Sequence, residues 1–469
     1  MKDFQKGIMR GEFRGDFTRD TFNPEKTFSR VLLQQGRVQL DADWNEQVSI
    51  HLHQLRSLAC DIGGPHWGPN EGSGFAIEKI DGSKDFNFTI RSGHYYVNGI
   101  LCEAGEGVTF NNQPNFPELN KPEKDRLNQQ ANLLVYLDIW ERHITYVEDD
   151  AIREVALGGP DTASRAKIIW QVKLIPTDVI PAPGEDAIPA PGDHPFKFDY
   201  PAFLNAIGSE IKTGSGKLQA RARDRSKEDT EPCLTSPAAR YRGAENQLYR
   251  VEIHRKSDSQ NKATFKWSRE NGSVIFPILA RVDSNGTSTL SLEHLGRDDR
   301  FNLKQDDWVE LVDDHSILQN RAESLLQIMS IDRENQTVTL KGIPDSEIGQ
   351  SIDTHPYVRR WDQKIGNQYG IALEESTDED QWVNLEDGIQ ISFPKPSSGT
   401  SQYQSGDYWL IPARQFTGDV DWPMDGKTPK ALLPHGVIHY YAPLAILSRF
   451  RLNDQSTTDL RRILTKIWS

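Results

Sequence analysis

The stretch TFKWSRENGSVIFPI (264–278) joins two runs of alternating apolar and polar residues through the dipeptide Asn271-Gly272. Alternation with a period of two predicts strands, and Asn-Gly is the strongest short signal for a tight turn because both residues tolerate positive φ. The stretch therefore predicts a β-hairpin, with these side chains on its apolar faces: Phe265, Trp267, Val274, Phe276 and Ile278.

Similar turn signals recur downstream of this stretch. Asn285-Gly286 is one, and Glu334-Asn335 lies between apolar runs at 328–331 and 338–340. Short strands separated by turns every 8–12 residues or so are typical of sandwiches and barrels. We therefore expect an all-β sandwich or barrel over roughly 245–345.

The region upstream also predicts strands. Asn98-Gly99 separates the apolar runs 95–97 and 100–102, which indicates another tight hairpin. The strongly apolar segments 133–140 and 168–174 have the length of buried strands, and we expect both in one sheet.

The N-terminal segment differs from the rest of the chain. Residues 1–40 carry spaced phenylalanines without helical or strand periodicity, so they predict an extended arm that must dock on the domain behind it or on a neighbouring chain. Apolar residues at helical spacing then predict a helix over about 41–61, which ends at Gly63-Gly64 and packs through one face only. The apolar residues of the helix are Trp44, Val48, Leu52, Leu55, Leu58 and Ala59.

At 469 residues the chain is long enough for roughly two to four domains. A tandem repeat, IPAPGEDA followed by IPAPGDHP, indicates an extended insertion, and short helices are predicted near 200–212 and 460–469. The predicted fold class is mainly β (α+β), with an arm and an amphipathic helix followed by several sandwich-like or barrel-like modules. The predicted divisions are 1–62 (arm and helix), 63–175 (first β domain), 176–244 (Pro-rich insertion or linker), 245–345 (second β domain) and 346–469 (C-terminal β domain).

Composition narrows the class of function. The formal net charge of −14 repels phosphate backbones, so we expect no nucleic-acid partner. Three cysteines in unrelated contexts predict no disulfide framework. No segment has the length and apolarity of a signal peptide or a membrane span, which predicts a soluble chain made in the cytoplasm.

No motif for catalysis stands out. The neighbouring carboxylates, such as Asp149-Asp150 and Asp306-Asp307, would point to opposite faces of a strand or lie in turns, which disfavours an acid/base pair. His435 and His439 have metal-ligand spacing, but no third ligand is evident. We therefore predict a protein that is not an enzyme and has no catalytic residues, cofactor or metal. Most of the 11 tryptophans lie in strand-like segments, which favours core positions over sugar-binding ones.

Several longer segments resemble an uncharacterised bacterial family encoded with phage tail-like contractile injection systems. They include RGDFTRDTFNPEKTFSRVLLQQGRVQLDADWNEQ (14–47), ATFKWSRENGSVI (263–275) and GDYWLIPAR (406–414). The stretch FSRVLLQQGRVQLDADWNEQ (28–47) is also similar to the entry segment of phage baseplate and tail-fibre proteins. The resemblance carries no catalytic motif.

The resemblance implies a structural component at the baseplate or tail-fibre level, assembled in the cytoplasm into a large particle that is membrane-anchored or released. Its partners would be baseplate proteins, further copies of itself and a membrane or cell surface. Arginine–carboxylate pairs and buried rings would mediate attachment. The predicted attachment residues are Phe13, Arg14, Asp16, Phe17, Phe22, Phe28, Arg30, Arg37, Trp44 and Asn45.

Two alternatives remain open. A glycan-binding adhesin or carbohydrate-active β-sandwich protein would present a surface groove lined by tryptophans and carboxylates. A scaffold outside any injection apparatus would be a monomer whose N-terminal arm folds back on its own domains.

Overall fold

The computed structural model describes most of the chain. The described residues are 11–80, 87–117, 132–176, 200–208, 214–223, 241–258, 261–298, 300–378, 381–396, 398–448 and 457–465. Much of the predicted Pro-rich insertion, including the tandem repeat, lies outside these ranges. None of the helices in the described ranges has the length and apolarity needed to span a membrane.

Strands dominate the described chain, and the fold is mainly β. The helices are α1 (Asp41–Gly63), α2 (Tyr200–Gly208) and α3 (Asp314–Leu318). The strands up to residue 312 are β1 (His66–Pro69), β2 (Ile77–Lys79), β3 (Phe88–Ile90), β4 (Gly93–Val97), β5 (Ile100–Ala104), β6 (Asn132–Ile144), β7 (Arg165–Pro176), β8 (Gln219–Ala222), β9 (Gln247–Arg255), β10 (Thr264–Ser268), β11 (Ile275–Ser284), β12 (Thr287–Leu292) and β13 (Trp308–Val312). Those that follow are β14 (Leu326–Asp332), β15 (Thr337–Leu340), β16 (Tyr357–Trp361), β17 (Ile371–Ala372), β18 (Glu375–Ser376), β19 (Val383–Asn384), β20 (Ile389–Pro394), β21 (Tyr408–Arg414), β22 (Asp419–Val420), β23 (Met424–Asp425), β24 (Thr428–Pro429), β25 (Tyr440–Ser448), β26 (Thr457–Asp459) and β27 (Ile463–Leu464).

The first hydrophobic core combines both ends of the chain. Its sheets have the strand orders β27-β1-β4-β5 and β26-β25-β6-β7, so β25 to β27 return from the C-terminus to the first domain. The hairpin predicted at Asn98-Gly99 is confirmed as β4–β5, with Val97 paired to Ile100. The two apolar segments predicted in one sheet are also confirmed, because β6 and β7 pair along their whole length.

The second and third cores contain most of the remaining strands. The five-stranded sheet β17-β10-β9-β21-β22 and the smaller sheet around β20 enclose the second core. Strands β11-β12-β15-β14-β13-β16 form a closed barrel around the third core. The turns predicted at Asn285-Gly286 and Glu334-Asn335 are confirmed as the hairpins β11–β12 and β14–β15 of this barrel.

The hairpin predicted at 264–278 is wrong, although its turn is present. Asn271 and Gly272 both have positive φ, but β10 pairs with β9 and β17 while β11 pairs with β12 and β16. The two strands leave the turn for different cores, because Phe265 and Trp267 pack in the second core and Phe276 packs in the barrel. The turn is therefore the junction between two β units.

The linear order of domains predicted from the sequence differs from the observed order in space. Strand β16 closes the barrel although it lies beyond residue 345, and β21 pairs with β9 across about a third of the chain. The predicted terminal helix at 460–469 is also wrong for its described part. Residues Ile463–Leu464 form β27, which pairs in parallel with β1. The short helix predicted near 200–212 is present as α2 over its described residues.

Helix α1 confirms the helix predicted over about 41–61, and it docks on the first core. Gly99 has a φ of 73°, and a Cβ at this position would lie 2.3 Å from the carbonyl oxygen of Arg56, so only glycine permits this close approach. The guanidinium of Arg56 donates to both carboxylate oxygens of Glu141, at 3.1 and 2.9 Å. Trp67 Nε1 donates to the carbonyl oxygen of Ala59 at 3.1 Å. These contacts fix the orientation of α1 on the β units.

Candidate attachment surface

The N-terminal arm has two parts with opposite environments. We call residues 11–22 the inner arm and residues 23–40 the outer arm. The inner arm lies against the molecule's own β units and against α1. The outer arm begins with the 3₁₀ turn Pro24–Lys26 and exposes most of its side chains. The sequence predicted that the arm docks on the domain behind it or on a neighbouring chain. The inner arm docks on its own chain.

Backbone contacts anchor the inner arm to the second sheet. The hydroxyl of Tyr408 donates to the carbonyl oxygen of Gly11 at 2.7 Å. The side-chain amide of Asn271 donates to the carbonyl oxygens of Phe13 and Gly15, at 3.2 and 2.9 Å. The junction turn between the two β units thus binds the arm, which gives the Asn-Gly dipeptide a tertiary role.

Arg14 is the buried centre of this contact. Its side chain is 9% exposed, and its Nη1 donates to Glu252 Oε2 at 2.5 Å. Burial alone would lower the pKa of Arg14, but Glu252 and Glu12 outweigh burial and the pKa is raised. Burial would raise the pKa of Glu252, but Arg14, Lys266 and Arg250 hold it well below its usual range. Both groups are therefore charged when folded.

The phenylalanines of the inner arm pack beside a buried histidine. The rings of Phe13 and Phe17 meet the ring of His143 edge-on, with centroid distances of 6.1 and 6.4 Å. Burial and the neighbouring arginines, first among them Arg359, lower the pKa of His143 to about 3. The imidazole is therefore neutral at pH 7, which suits its contact with two aromatic rings.

A small cleft of about 50 Å³ opens beside Arg14. The carboxylates in its walls are already paired: Lys266 Nζ lies 2.6 Å from Glu310 Oε2, and Trp361 Nε1 donates to the same oxygen at 3.0 Å. This volume holds a few water molecules at most. The cleft has the character of a structural polar network, and its carboxylates are neutralised by neighbouring cations.

Three residues of the arm, Thr18, Thr21 and Val31, form hydrogen bonds with side chains of α1. Thr18 donates from its backbone N–H and its hydroxyl to Asp41, Thr21 Oγ1 donates to Glu46 at 2.6 Å, and the Val31 N–H donates to Gln47 at 2.7 Å. The ring of Phe22 packs on that of His53. The arm therefore covers one flank of α1 and leaves another flank open.

The open flank of α1 is apolar, which is the reverse of the usual arrangement. The sequence predicted that α1 packs through its apolar face, and this is wrong within the described chain. The helix instead docks through Ala42, Ser49 and Ile50, which are at most 4% exposed. We call the exposed apolar side chains of α1 the seam: Trp44 (63% exposed), Val48 (40%), Leu55 (61%), Leu58 (57%) and Ile62 (62%).

The outer arm adds further exposed apolar side chains next to α1. They are Phe28, Leu32, Leu33, Val38 and Leu40. Isolated exposed apolar residues are ordinary on protein surfaces, but a concentration of this size in one segment marks an interaction surface. The seam and the outer arm together form the candidate attachment surface.

The ten predicted attachment residues separate into an inward and an outward group. Phe13, Arg14, Phe17 and Phe22 contact their own chain, and Asn45 is half-buried. Asp16, Phe28, Arg30, Arg37 and Trp44 are exposed. The arginine–carboxylate pairing predicted for attachment occurs within the chain at Arg14. An attachment role for the ten residues stays a prediction, and the exposed group is the one available to a partner.

Sequence reasoning missed the residues that receive the arm. They are Glu252, Asn271 and Tyr408, which lie far from the arm in sequence. Each one also fits the pattern of its own strand or turn, so nothing nearby in the sequence indicates a contact with the arm. A charged residue at an inward strand position was the available signal for Glu252, which lies in β9 between Val251 and Ile253. The six apolar positions that the sequence predicted for α1 are all exposed or half-buried, but their outward direction was not predicted.

The tryptophans predicted as core residues are mostly buried. Those buried within described strands are Trp140, Trp170, Trp267, Trp308, Trp361 and Trp409. Trp382 is half-buried, and the guanidinium of Arg221 covers its ring at 4.0 Å. The described strands thus lack the paired exposed tryptophans that a sugar-binding groove requires. Within the same ranges, no group of three or more His, Cys, Asp or Glu side chains is placed to hold a metal ion.

The fold and this surface define a β-rich protein of three main cores that carries an outward apolar helix. The chain belongs to a family of unknown function, DUF6519, whose model matches residues 13–183 and 209–450. The interruption of this match contains most of the Pro-rich repeat. Comparisons with curated proteins and with solved structures found no significant match.

Proposed function

We propose that this protein is a non-enzymatic structural component of a phage tail-like contractile injection system, at the baseplate or tail-fibre level. The seam and the outer arm attach it to neighbouring subunits, and the three β cores form the body that this attachment positions. The observation that carries the proposal is the apolar seam, which α1 holds outward on a helix whose other face is docked.

Three points support an attachment role, two of them physical and one from the sequence. An apolar surface of this kind gains free energy when a partner removes it from water, at about 25 cal/mol per Å². The Arg56–Glu141 pair and the close contact at Gly99 fix the helix on the β units. Little conformational entropy of α1 is therefore lost when a partner binds. The third point comes from the sequence: the resemblance of residues 28–47 to the entry segments of phage baseplate and tail-fibre proteins supports this class of assembly.

The proposal is tested by particle incorporation in a bacterium that carries the gene cluster. The variant combines Trp44→Gln, Leu55→Gln and Leu58→Gln, which replace three of the five apolar residues of the seam and leave the docked face of α1 unchanged. We expect the wild-type chain to co-sediment with purified particles and the variant to remain in the unassembled fraction.

A matched control carries Val155→Gln, Leu157→Gln and Phe416→Gln, which replace three exposed apolar residues that belong neither to α1 nor to the outer arm. We expect the control to assemble like the wild type. Equal incorporation of the seam variant, or a wild-type chain that sediments with no particle, would refute the proposal. Deletion of residues 1–40 is a poorer test, because it also removes Arg14 from its buried partner Glu252.

A further inference from the structure

The seam has the spacing of a coiled coil. Its residues follow one another at intervals that alternate between four and three once the exposed His51 is included: Trp44, Val48, His51, Leu55, Leu58 and Ile62. These are the a and d positions of a heptad repeat, and such a seam is buried by knobs-into-holes packing against another helix. A helix that covered the whole seam would be about 27 Å long, at 1.5 Å per residue.

The positions that flank the seam carry almost no charge, so they offer no ion-pair partner to a highly charged helix. Five of the six residues next to the seam are uncharged, namely Asn45, Gln47, Leu52, Gln54 and Ala59, and the sixth is Asp61. Charges at these positions normally decide which helices pair. Their near absence removes like-charge repulsion between two copies of α1.

The seam is also symmetric under reversal. A two-fold rotation about an axis beside residue 53 exchanges Trp44 with Ile62 and Val48 with Leu58. The same rotation exchanges His51 with Leu55, so every a position of one helix meets a d position of the other. Residue 53 lies near the middle of α1, so the two helices would overlap along almost their full length.

We propose that a second copy of this chain binds the seam, with the two α1 helices antiparallel about this two-fold axis. The inference rests on the proposed function of α1 as an attachment surface and names its occupant. Antiparallel pairing places the bulky Trp44 against Ile62 of the other copy. It also brings each positive helix N-terminus near a negative C-terminus. Parallel pairing would set Trp44 and His51 each against its own copy and align the two helix dipoles unfavourably.

Cysteine cross-linking separates the two orientations. In a chain with Cys60→Ser and Cys233→Ser, Gln54→Cys places a thiol next to the proposed axis, whereas Val48→Cys would face its own copy only in a parallel pair. We expect oxidation to form a covalent dimer through residue 54 and none through residue 48. In the antiparallel pair the two residues 48 are separated by about 15 Å along the axis. A dimer through residue 48 alone would overturn the proposal.

Analytical ultracentrifugation of the purified full chain measures the association itself. We expect a reversible dimer at micromolar concentration, weakened about tenfold or more by Leu55→Gln with Leu58→Gln. The Val155→Gln and Leu157→Gln control should dimerise like the wild type. A wild-type chain that stays monomeric at about 100 μM would overturn the proposal.

The two proposals fail in different experiments. If the seam variant is lost from particles while the pure chain neither dimerises nor cross-links through residue 54, the seam binds another protein. The self-association is then wrong and the proposed function stands. If the pure chain forms the antiparallel dimer but no particle contains it, the proposed function is wrong and the self-association stands.

Discussion

The inner arm and the seam are neighbours in sequence but reverse the usual distribution of polarity. The inner arm buries a charged arginine, which forms an ion pair with Glu252, while two of its phenylalanine rings pack against His143. The seam exposes five large apolar side chains on a helix that docks through Ala42, Ser49 and Ile50. The comparison teaches that the folded monomer depends on the buried charge, whereas the exposed apolar residues contribute little to its stability.

The largest expected effect is at Arg14. We expect Arg14→Met to lower the free energy of unfolding by about 4 kcal/mol, because Glu252 keeps its buried negative charge and loses its closest cation. Urea unfolding followed by tryptophan fluorescence measures the change. Arg37→Met, at an exposed position of the outer arm, is the matched control and should change stability by less than about 0.5 kcal/mol. Equal effects of the two variants would show that the inner arm does not stabilise the fold.

A second expected effect is a pH dependence of the free energy of unfolding. It arises at Asp407, which interacts with the buried carboxylate of Glu252. Burial raises the pKa of Asp407 to about 7, and the negative charge of Glu252 adds to this effect. In the unfolded chain the ordinary pKa is about 4, so the folded state binds more protons between pH 4 and pH 7. The stability contributed by Asp407 is therefore greatest at low pH and is lost as the pH rises through 7.

Asp407→Asn removes this dependence because the amide stays neutral and can still accept the Gln404 N–H. We expect the variant to be more stable than the wild type by about 2 kcal/mol at pH 8 and equally stable near pH 4. Thermal unfolding across this range measures the difference. Asp425→Asn, at an exposed position, should give a constant difference near zero. If the stability difference between Asp407→Asn and the wild type were also independent of pH, burial would not raise the pKa of Asp407.

The contrast between the two regions also explains what the sequence could predict. Local signals were sufficient where both strands of a hairpin share a core, as at Asn98-Gly99 and Asn285-Gly286. The same signal failed at Asn271-Gly272 because the two strands enter different cores, and which core a strand enters depends on distant partners such as β9 and β16.

The candidate site divides in the same way. The period of α1 identified the helix and its apolar side, because both follow from spacing alone. The outward direction of that side depends on Glu141 and Gly99, which dock the opposite side of the helix. The inward position of Arg14 depends on Glu252, more than 200 residues away. In both cases the partner lies far along the chain, so the spacing of nearby residues does not identify it.

The smallest expected effect is the sharpest test of the comparison, because it contrasts two residues of one helix. Leu55 is 61% exposed on the seam and Ile50 is 2% exposed on the docked face. We expect Leu55→Ala to change the free energy of unfolding of the monomer by less than about 0.5 kcal/mol, since alanine is a good helix former and no buried contact is lost. Ile50→Ala should cost about 3 kcal/mol, because it leaves a cavity. Urea unfolding at a concentration below that of self-association measures both. A cost for Leu55→Ala close to that of Ile50→Ala would mean that the seam is packed within its own chain and is not available to a partner.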